Sequence, residues 1–221
     1  MDFKNIRILV VGDIMLDEYI QGSSNRISPE APVPIVLVEK NKSNLGGAAN
    51  VANNCASLGA SVSLIGLTGH DNAGKEVALS LKVNNINYLG PIDTNIVTTR
   101  KVRIMSRSQQ LLRVDYEKII ISRSNKIIDI FKSVIKENDL VIFSDYGKGS
   151  LDQIHLLIDI AKKNNKIICV DPIGNNFSRY AQTDFLKPNN QELNYVIGQN
   201  SNKKEFQKKV NHLMISNNIQ N

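Results

Sequence analysis

Cysteine is nearly absent from this sequence. Cys55 and Cys169 are the only two, far apart and each inside a run that reads as core ("NNCASLG" and "KIICVD"). Two such thiols read as reduced and buried, which excludes a disulfide scaffold and points to a cytosolic, cytoplasmic setting. Long hydrophobic runs are missing too. The short apolar run of "MDFKNIRILVVGD" meets Gly12–Asp13 instead of a small-residue cleavage site, so it does not read as a signal peptide. No segment approaches the length of a membrane span, and no membrane partner is expected. No repeat, low-complexity tract or linker divides the chain. With 42% apolar residues among 221, one large core is expected without disulfides or metals.

Several signatures of chemistry are absent as well. The first apolar run continues as "VVGDIMLDEY", not G-x-G-x-x-G, which excludes the dinucleotide fingerprint, and no G-x-x-x-x-G-K-[ST] occurs. His70, His155 and His212 have no metal-site spacing, and no Ser-His-Asp or Cys-His arrangement follows from their order. The net charge of +6 is modest but uneven. Arg100, Lys101, Arg103, Arg107, Arg113 and Lys118 stand against Asp115 and Glu117, and "NKKEFQKKVNH" forms a second basic stretch. The first cluster lacks aromatic interleaving and the second reads as a solvated helix face, so no nucleic-acid partner is expected.

What is present has one grammar. "RILVVGD", "SVSLIGLTG", "DLVIFSDYGKG", "KIICVDP" and "DFLKPN" are short β-branched runs ending in Gly, Asp, Pro or Asn, as strands buried on both faces do. Helical patterns lie between them. Residues 48–58 end at Gly59, and 75–84, 124–137 and 151–164 are amphipathic. In the last, Leu151, Ile154, Leu157, Ile158 and Ala161 share a face. The fold class is α/β: a parallel sheet flanked by helices. Two segments break the alternation. Residues 14–40 carry three prolines before an apolar run, and 95–116 alternate polar and apolar positions, which predicts half-exposed antiparallel strands in a small projecting β-sheet.

Ligands of open parallel sheets bind beyond the carboxyl ends of the strands, where Asp13, Asp145, Asp171 and Asn189 each follow an apolar run. Taken singly, each also fits a helix cap. In "NLGGAANVANN", Gly46 and Gly47 open a helix of small residues, so a ligand near the backbone is one reading and a phosphate cradle another.

"VVGDIMLDEY", "LGGAANVANNCASLG", "GLTGHDNAG", "SDYGKG" and "KPNNQE" occur in the order and spacing of the PfkB (ribokinase-like) sugar kinases, and the chain resembles that family over essentially its whole length. More narrowly, "GDIMLDEYIQGSSNRISPEAPVPIV" and "RKVRIMSRSQQLLRVD" look like the kinase domain of bacterial bifunctional heptose 7-phosphate kinase/ADP-heptose synthases.

The resemblance implies one ribokinase-like kinase domain over residues 1–221, with lid segments at about 14–40 and 95–118 that support a homodimer. It implies that Asp13, Asp17, Gly46, Gly47 and Asn50 bind the sugar. Arg100, Lys101, Arg103 and Arg107 become candidates for a sugar phosphate, of which strand alternation lets about half face the ligand. Asn189, Asn190, Gln191 and Glu192 become the ATP-side motif, with Asn189 and Glu192 holding Mg²⁺ through water. The implied reaction is phosphoryl transfer from ATP to the anomeric hydroxyl of D-glycero-D-manno-heptose 7-phosphate, in ADP-heptose and lipopolysaccharide core biosynthesis.

Two departures stand out. The family's G-A-G-D motif, whose aspartate is the general base and whose glycine amides hold the γ-phosphate, occurs nowhere in the 221 residues, and Ile173 stands where the subfamily pattern has lysine. The chain therefore reads as C-terminally incomplete and inactive alone, with no catalytic residue to assign. The alternatives are a sugar-phosphate-binding remnant without catalysis, or a PfkB kinase for another sugar. "RISPEAPVPIV" and "QQLLRVD" argue against the latter.

Overall fold

The structure, a computed structural model, describes residues 3–118, 125–199 and 202–221. Strand β1 (Arg7–Gly12) is followed after one residue by β2 (Ile14–Ile27), which pairs with β3 (Pro34–Gly47) and leads into α1 (Ala48–Ser57). Next come β4 (Ser61–Ile65), β5 (Thr68–Gly69), α2 (Asn72–Val83), β6 (Asn87–Tyr88), β7 (Ile92–Asp93), β8 (Thr99–Ser106) and β9 (Gln109–Tyr116). The remainder is α3 (Asn125–Val134), β10 (Leu140–Ser144), α4 (Ile154–Lys163), β11 (Ile167–Asp171), β12 (Phe185–Leu186), α5 (Asn190–Ile197) and α6 (Lys203–Ser216), with single 3₁₀ turns at Ile135–Glu137 and Phe177–Tyr180. Residue 124, where the sequence pattern starts its third helix, lies outside the described residues.

The main sheet runs β12-β11-β10-β1-β4-β6, with every pairing parallel. Alternate residues of its strands feed two cores. Leu9 and Val11 of β1 join Phe131, Phe143, Leu157 and Ile158 on one side, while Ile8 and Val10 join Ala49, Ala52, Val77 and Leu81 on the other. A sheet coated on both faces needs apolar residues at every position of its central strands, and β1 is buried from Ile8 to Gly12. Helix α4 starts at Ile154 rather than at residue 151, yet all five residues of its expected apolar stripe are buried. The polypeptide's last residues add to the sheet: the Asn221 N–H donates to Asp184 O, and the Leu186 N–H donates to Asn221 O.

The second sheet has the order β3-β2-β8-β9. Its two hairpins are antiparallel, but they meet through β2 and β8 in parallel, with Asp17 opposite Lys101. The antiparallel strands expected over residues 95–116 are the β8–β9 hairpin, and the parallel β2–β8 junction is an addition to that expectation. Among the described residues, no helix is long and apolar enough to cross a membrane.

Candidate functional site

Asp13 is the one residue between β1 and β2, and it is 1% exposed. Its Oδ2 accepts the N–H groups of Tyr146 and Lys148 at 2.9 and 3.0 Å, and its Oδ1 accepts the Ser150 N–H at 3.0 Å. Its own N–H donates to Ser144 O, and its carbonyl accepts the Ala48 N–H. Three amide donors occupy this carboxylate. They tie the 145–150 loop to Asp13 and leave one of the carboxylate's about four acceptor positions over.

The glycine pair is explained by the chain itself. A Cβ on Gly46 would lie 2.5 Å from Asp17 Oδ2, and one on Gly47 would run into the carbonyl oxygen of Asp13. Gly47 also has φ +55°, a left-handed value costly for other residues. Within the chain, the close approach at both glycines is to the neighbouring start of β2, at the base of the ribbon.

Asp17 and Asn50 line one polar cleft of about 350 Å³, together with Asn44, Asn53 and Tyr19. The Oδ1 of Asn53 is buried and lacks a hydrogen-bond partner. Above the cleft, Arg103 Nη1 lies 2.6 Å from Asp17 Oδ1, and its guanidinium stacks 5.2 Å from the Tyr19 ring centre. The Asp17 hydrogen bond raises the Arg103 pKa further above its already high usual value. Lys101, on the same strand face, places its ammonium 5.9 Å from the ring centre of Tyr146. Arg100 lies on the opposite face, 2.7 Å from Glu18 and over the Tyr116 ring. Arg107 occupies the β8–β9 turn with φ +54°, its N–H bonded to Gly22 O. Six residues of strand put it about 20 Å from Lys101. Of the four cations, the structure brings Lys101 and Arg103 to Asp17 and sends Arg100 and Arg107 elsewhere.

A second cleft of about 490 Å³ lies beyond β11 and β12, lined by Ile173, Gly174, Asn189, Gln191, Glu192 and Tyr195. Asn190 does not line it. Asn189 caps α5: its Oδ1 accepts the Glu192 N–H at 2.9 Å, and Glu192 Oε2 accepts the Asn189 N–H at 2.8 Å, a reciprocal capping box. One carboxylate oxygen of Glu192 remains outside that box, which fits a magnesium ion held through water. Among the described residues no group of three or more His, Cys, Asp or Glu forms a direct metal cage. Lys187 and Asp171 pair at 3.2 Å beside the same cleft.

Tyr146 lies within electrostatic reach of both clefts, feeling Asp17 of the first and Glu192 of the second. Burial raises its pKa, with the charges of Asp171, Asp17 and Glu192 adding in the same direction. The strand end also carries Asp145, 4% exposed, whose Oδ2 accepts the hydroxyl of buried Tyr180 at 2.9 Å and lies 3.2 Å from Arg179 Nη2. Lys148 pairs with Glu117 at 2.7 Å, linking the 145–150 loop to the end of β9. Sequence reasoning missed Tyr146, Tyr180 and Asn53. For Tyr146, the available signal was its place directly after a polar strand end.

A family profile described as "pfkB family carbohydrate kinase" matches residues 5–219. The chain is 44% identical over 211 residues to the bifunctional protein HldE of Haemophilus influenzae (strain PittEE), covering 94% of this chain and 44% of that protein. It is 43% identical over 197 residues to the bifunctional protein HldE of Helicobacter pylori (strain P12), covering 86% of this chain and 43% of the relative. The chain thus spans less than half the length of these curated relatives. Among solved structures, the phosphofructokinase-2 of Escherichia coli in complex with fructose-6-phosphate superposes with a TM-score of 0.75 at 18% identity, covering 97% of this chain and 71% of that one. Ribokinase of Arabidopsis thaliana complexed with ribose and ATP gives 0.68 at 17% identity, covering 94% and 67%. At these identities the structures speak for the fold.

Proposed function

This chain belongs to the pfkB family of carbohydrate kinases, and from that footing we propose that it forms the acceptor-binding side, and part of the nucleotide side, of a kinase for heptose 7-phosphate. The reaction would move the γ-phosphoryl group of ATP to the anomeric hydroxyl, on the route to ADP-heptose and the lipopolysaccharide core. The observation that carries the reading is the meeting of Asp17, Arg103 and Lys101 on one sheet face above a cleft lined by Asn50. A sugar phosphate needs carboxylate or carboxamide groups for vicinal hydroxyls and a cation for its phosphate, and this face offers both.

Each residue then has a task. Asn50 and the Asp17 carboxylate orient the sugar, and Arg103 and Lys101 take the sugar's phosphate. Asp13 fixes the 145–150 loop between the clefts. Bound at the second cleft through the waters of Asn189 and Glu192, Mg²⁺ would neutralise charge on the transferring phosphate. The second sheet acts as a lid that excludes water, and its exposed Leu37, Val38, Leu111 and Leu112 suit a dimer contact. The 221 residues contain no G-A-G-D aspartate to deprotonate the acceptor, so binding without turnover is expected of this polypeptide.

Isothermal titration of the purified chain with D-glycero-D-manno-heptose 7-phosphate, fructose 6-phosphate and ribose tests the reading. Tightest binding of the heptose phosphate supports it. Equal or absent binding of all three overturns it.

A further inference from the structure

The wall of the second cleft at Ile173–Asn175 is not held by a regular element. It follows β11 and precedes the 3₁₀ turn at Phe177–Tyr180, and Gly174 has φ +78°. One side chain fastens it. The Tyr180 hydroxyl oxygen accepts the Ile173 N–H at 3.1 Å, and the hydroxyl proton goes to Asp145 Oδ2 at 2.9 Å. The other Asp145 oxygen accepts the Gly147 N–H at 2.9 Å, and the Asp145 N–H donates to Asp171 O. Arg179, neighbour of Tyr180, spans from Asp145 to the carbonyl of Leu151, 2.9 Å away.

We propose that Asp145 and Tyr180 are positioning residues: acting as a relay, they hold the Ile173–Asn175 wall at the distance a bound nucleotide phosphate requires. The proposal deepens the donor-side reading given above and rests on it. A hydroxyl is suited to this place because it is acceptor to the wall's N–H and donor to the carboxylate at once. Tyr180 is fully buried, so water cannot replace either bond. Because Asp145 opens the same loop that Asp13 holds through Tyr146, Lys148 and Ser150, the relay also keys the nucleotide wall to the acceptor side. The position occupied by Ile173 contributes its backbone to this device.

Hydrogen exchange read by mass spectrometry on the full 221-residue chain tests this, with Tyr180→Phe and Asp145→Asn as variants and ATP with Mg²⁺ as probe. Tyr180→Phe keeps the ring packed and removes both bonds. Ligand-free exchange of the 172–176 segment should quicken about tenfold, the equivalent of one lost hydrogen bond, with strands β1 and β10 unchanged. Asp145→Asn keeps an acceptor for the hydroxyl and should change exchange less than Tyr180→Phe does. In wild type, ATP with Mg²⁺ should protect 172–176 and 189–195, and Tyr180→Phe should weaken that protection. Wild-type exchange at 172–176 in ligand-free Tyr180→Phe overturns the relay. Equal ATP protection in both proteins overturns its part in binding. A wild type that ATP leaves unprotected overturns the donor-side reading instead, a result the ligand-free comparison keeps separate from failure of the relay.

Discussion

Arg103 and Asp17 face each other across the β2–β8 junction, Nη1 to Oδ1 at 2.6 Å, with each side chain about four-fifths buried. The pair unites two groups to which the sequence assigned separate tasks, one for sugar hydroxyls and one for phosphate. A partly exposed ion pair contributes little stability, about 0–1 kcal/mol. Its value is that each partner holds the other's rotamer.

The first prediction follows from that pair. Arg103→Ala should lower affinity for a sugar phosphate by about tenfold or more while leaving affinity for the unphosphorylated sugar nearly unchanged, as one lost charge-assisted contact implies. Asp17→Asn should weaken both ligands. Titration calorimetry of the two variants with both ligands decides, and equal losses in Arg103→Ala would reassign the phosphate to other residues.

The capping box at α5 can be separated from metal handling. Glu192→Gln preserves the reciprocal hydrogen bonds and should leave the melting temperature within a degree or two, while weakening Mg²⁺-dependent ATP binding. Asn189→Ala should cost about 1 kcal/mol of stability in addition. Unchanged ATP binding by Glu192→Gln would reduce the N-x-x-E stretch to a helix cap.

Asp71 offers a pH test. Its carboxylate caps α2 through the Gly74 N–H and also accepts the Thr98 N–H, both at 2.8 Å. Burial pushes its pKa up, but the hydrogen bonds from Gly74 and Thr98 outweigh burial and leave it below the ordinary aspartate value. A folded pKa below the unfolded one gives stability that is present above about pH 4 and lost as pH falls through the folded value. Asp71→Ala should therefore destabilise by about 1–2 kcal/mol at neutral pH, with the gap to wild type narrowing in acid. Urea melts at several pH values measure it.

Leu112 is 53% exposed on the second sheet. Leu112→Asp should shift a concentration-dependent dimer to monomer in light scattering, with the fold intact by circular dichroism. A wild type that is monomeric at every concentration would refute the lid contact.

Incubated with ATP, Mg²⁺ and heptose 7-phosphate, the 221-residue polypeptide should release no ADP above the ATP blank. ADP release that depends on the heptose phosphate would show that another group in this chain serves as base.

Much of this was legible in the sequence, for reasons that differ by residue. Leu151, Ile154, Leu157, Ile158 and Ala161 show their common face because a helix repeats locally. The polar strand ends Asp13, Asp145 and Asp171 mark one edge because parallel strands end together. The parallel junction of β2 with β8 was not legible, since it joins segments about 85 residues apart and no local pattern encodes it. At Gly46 and Gly47 the sequence announces that no Cβ fits, but not what comes near. The Tyr180 link to Asp145 spans 35 positions with no repeat between them. Asn189 and Glu192 were readable twice over, because the spacing that serves a metal also closes a capping box.

The ribbon of β2 and β3 leaves the main body at one point, Asp13 beside Gly47 and Ala48, and that point is tied by three side-chain and two backbone hydrogen bonds. Mechanically this is a weld rather than a pivot. Farther out, the ladder is interrupted by the register shifts between Gln21 and Gly22 and between Ser23 and Arg26, which bend and twist the ribbon locally. Asp17 and Lys101 lie on the welded side of those shifts, and the Arg107 turn lies beside them. The regular ladder thus runs unbroken from the anchor at Asp13 past Asp17 to Gln21, so the part of the ribbon that carries the sugar cleft is keyed in register to the main body, and the irregular pairing is confined to its outer half.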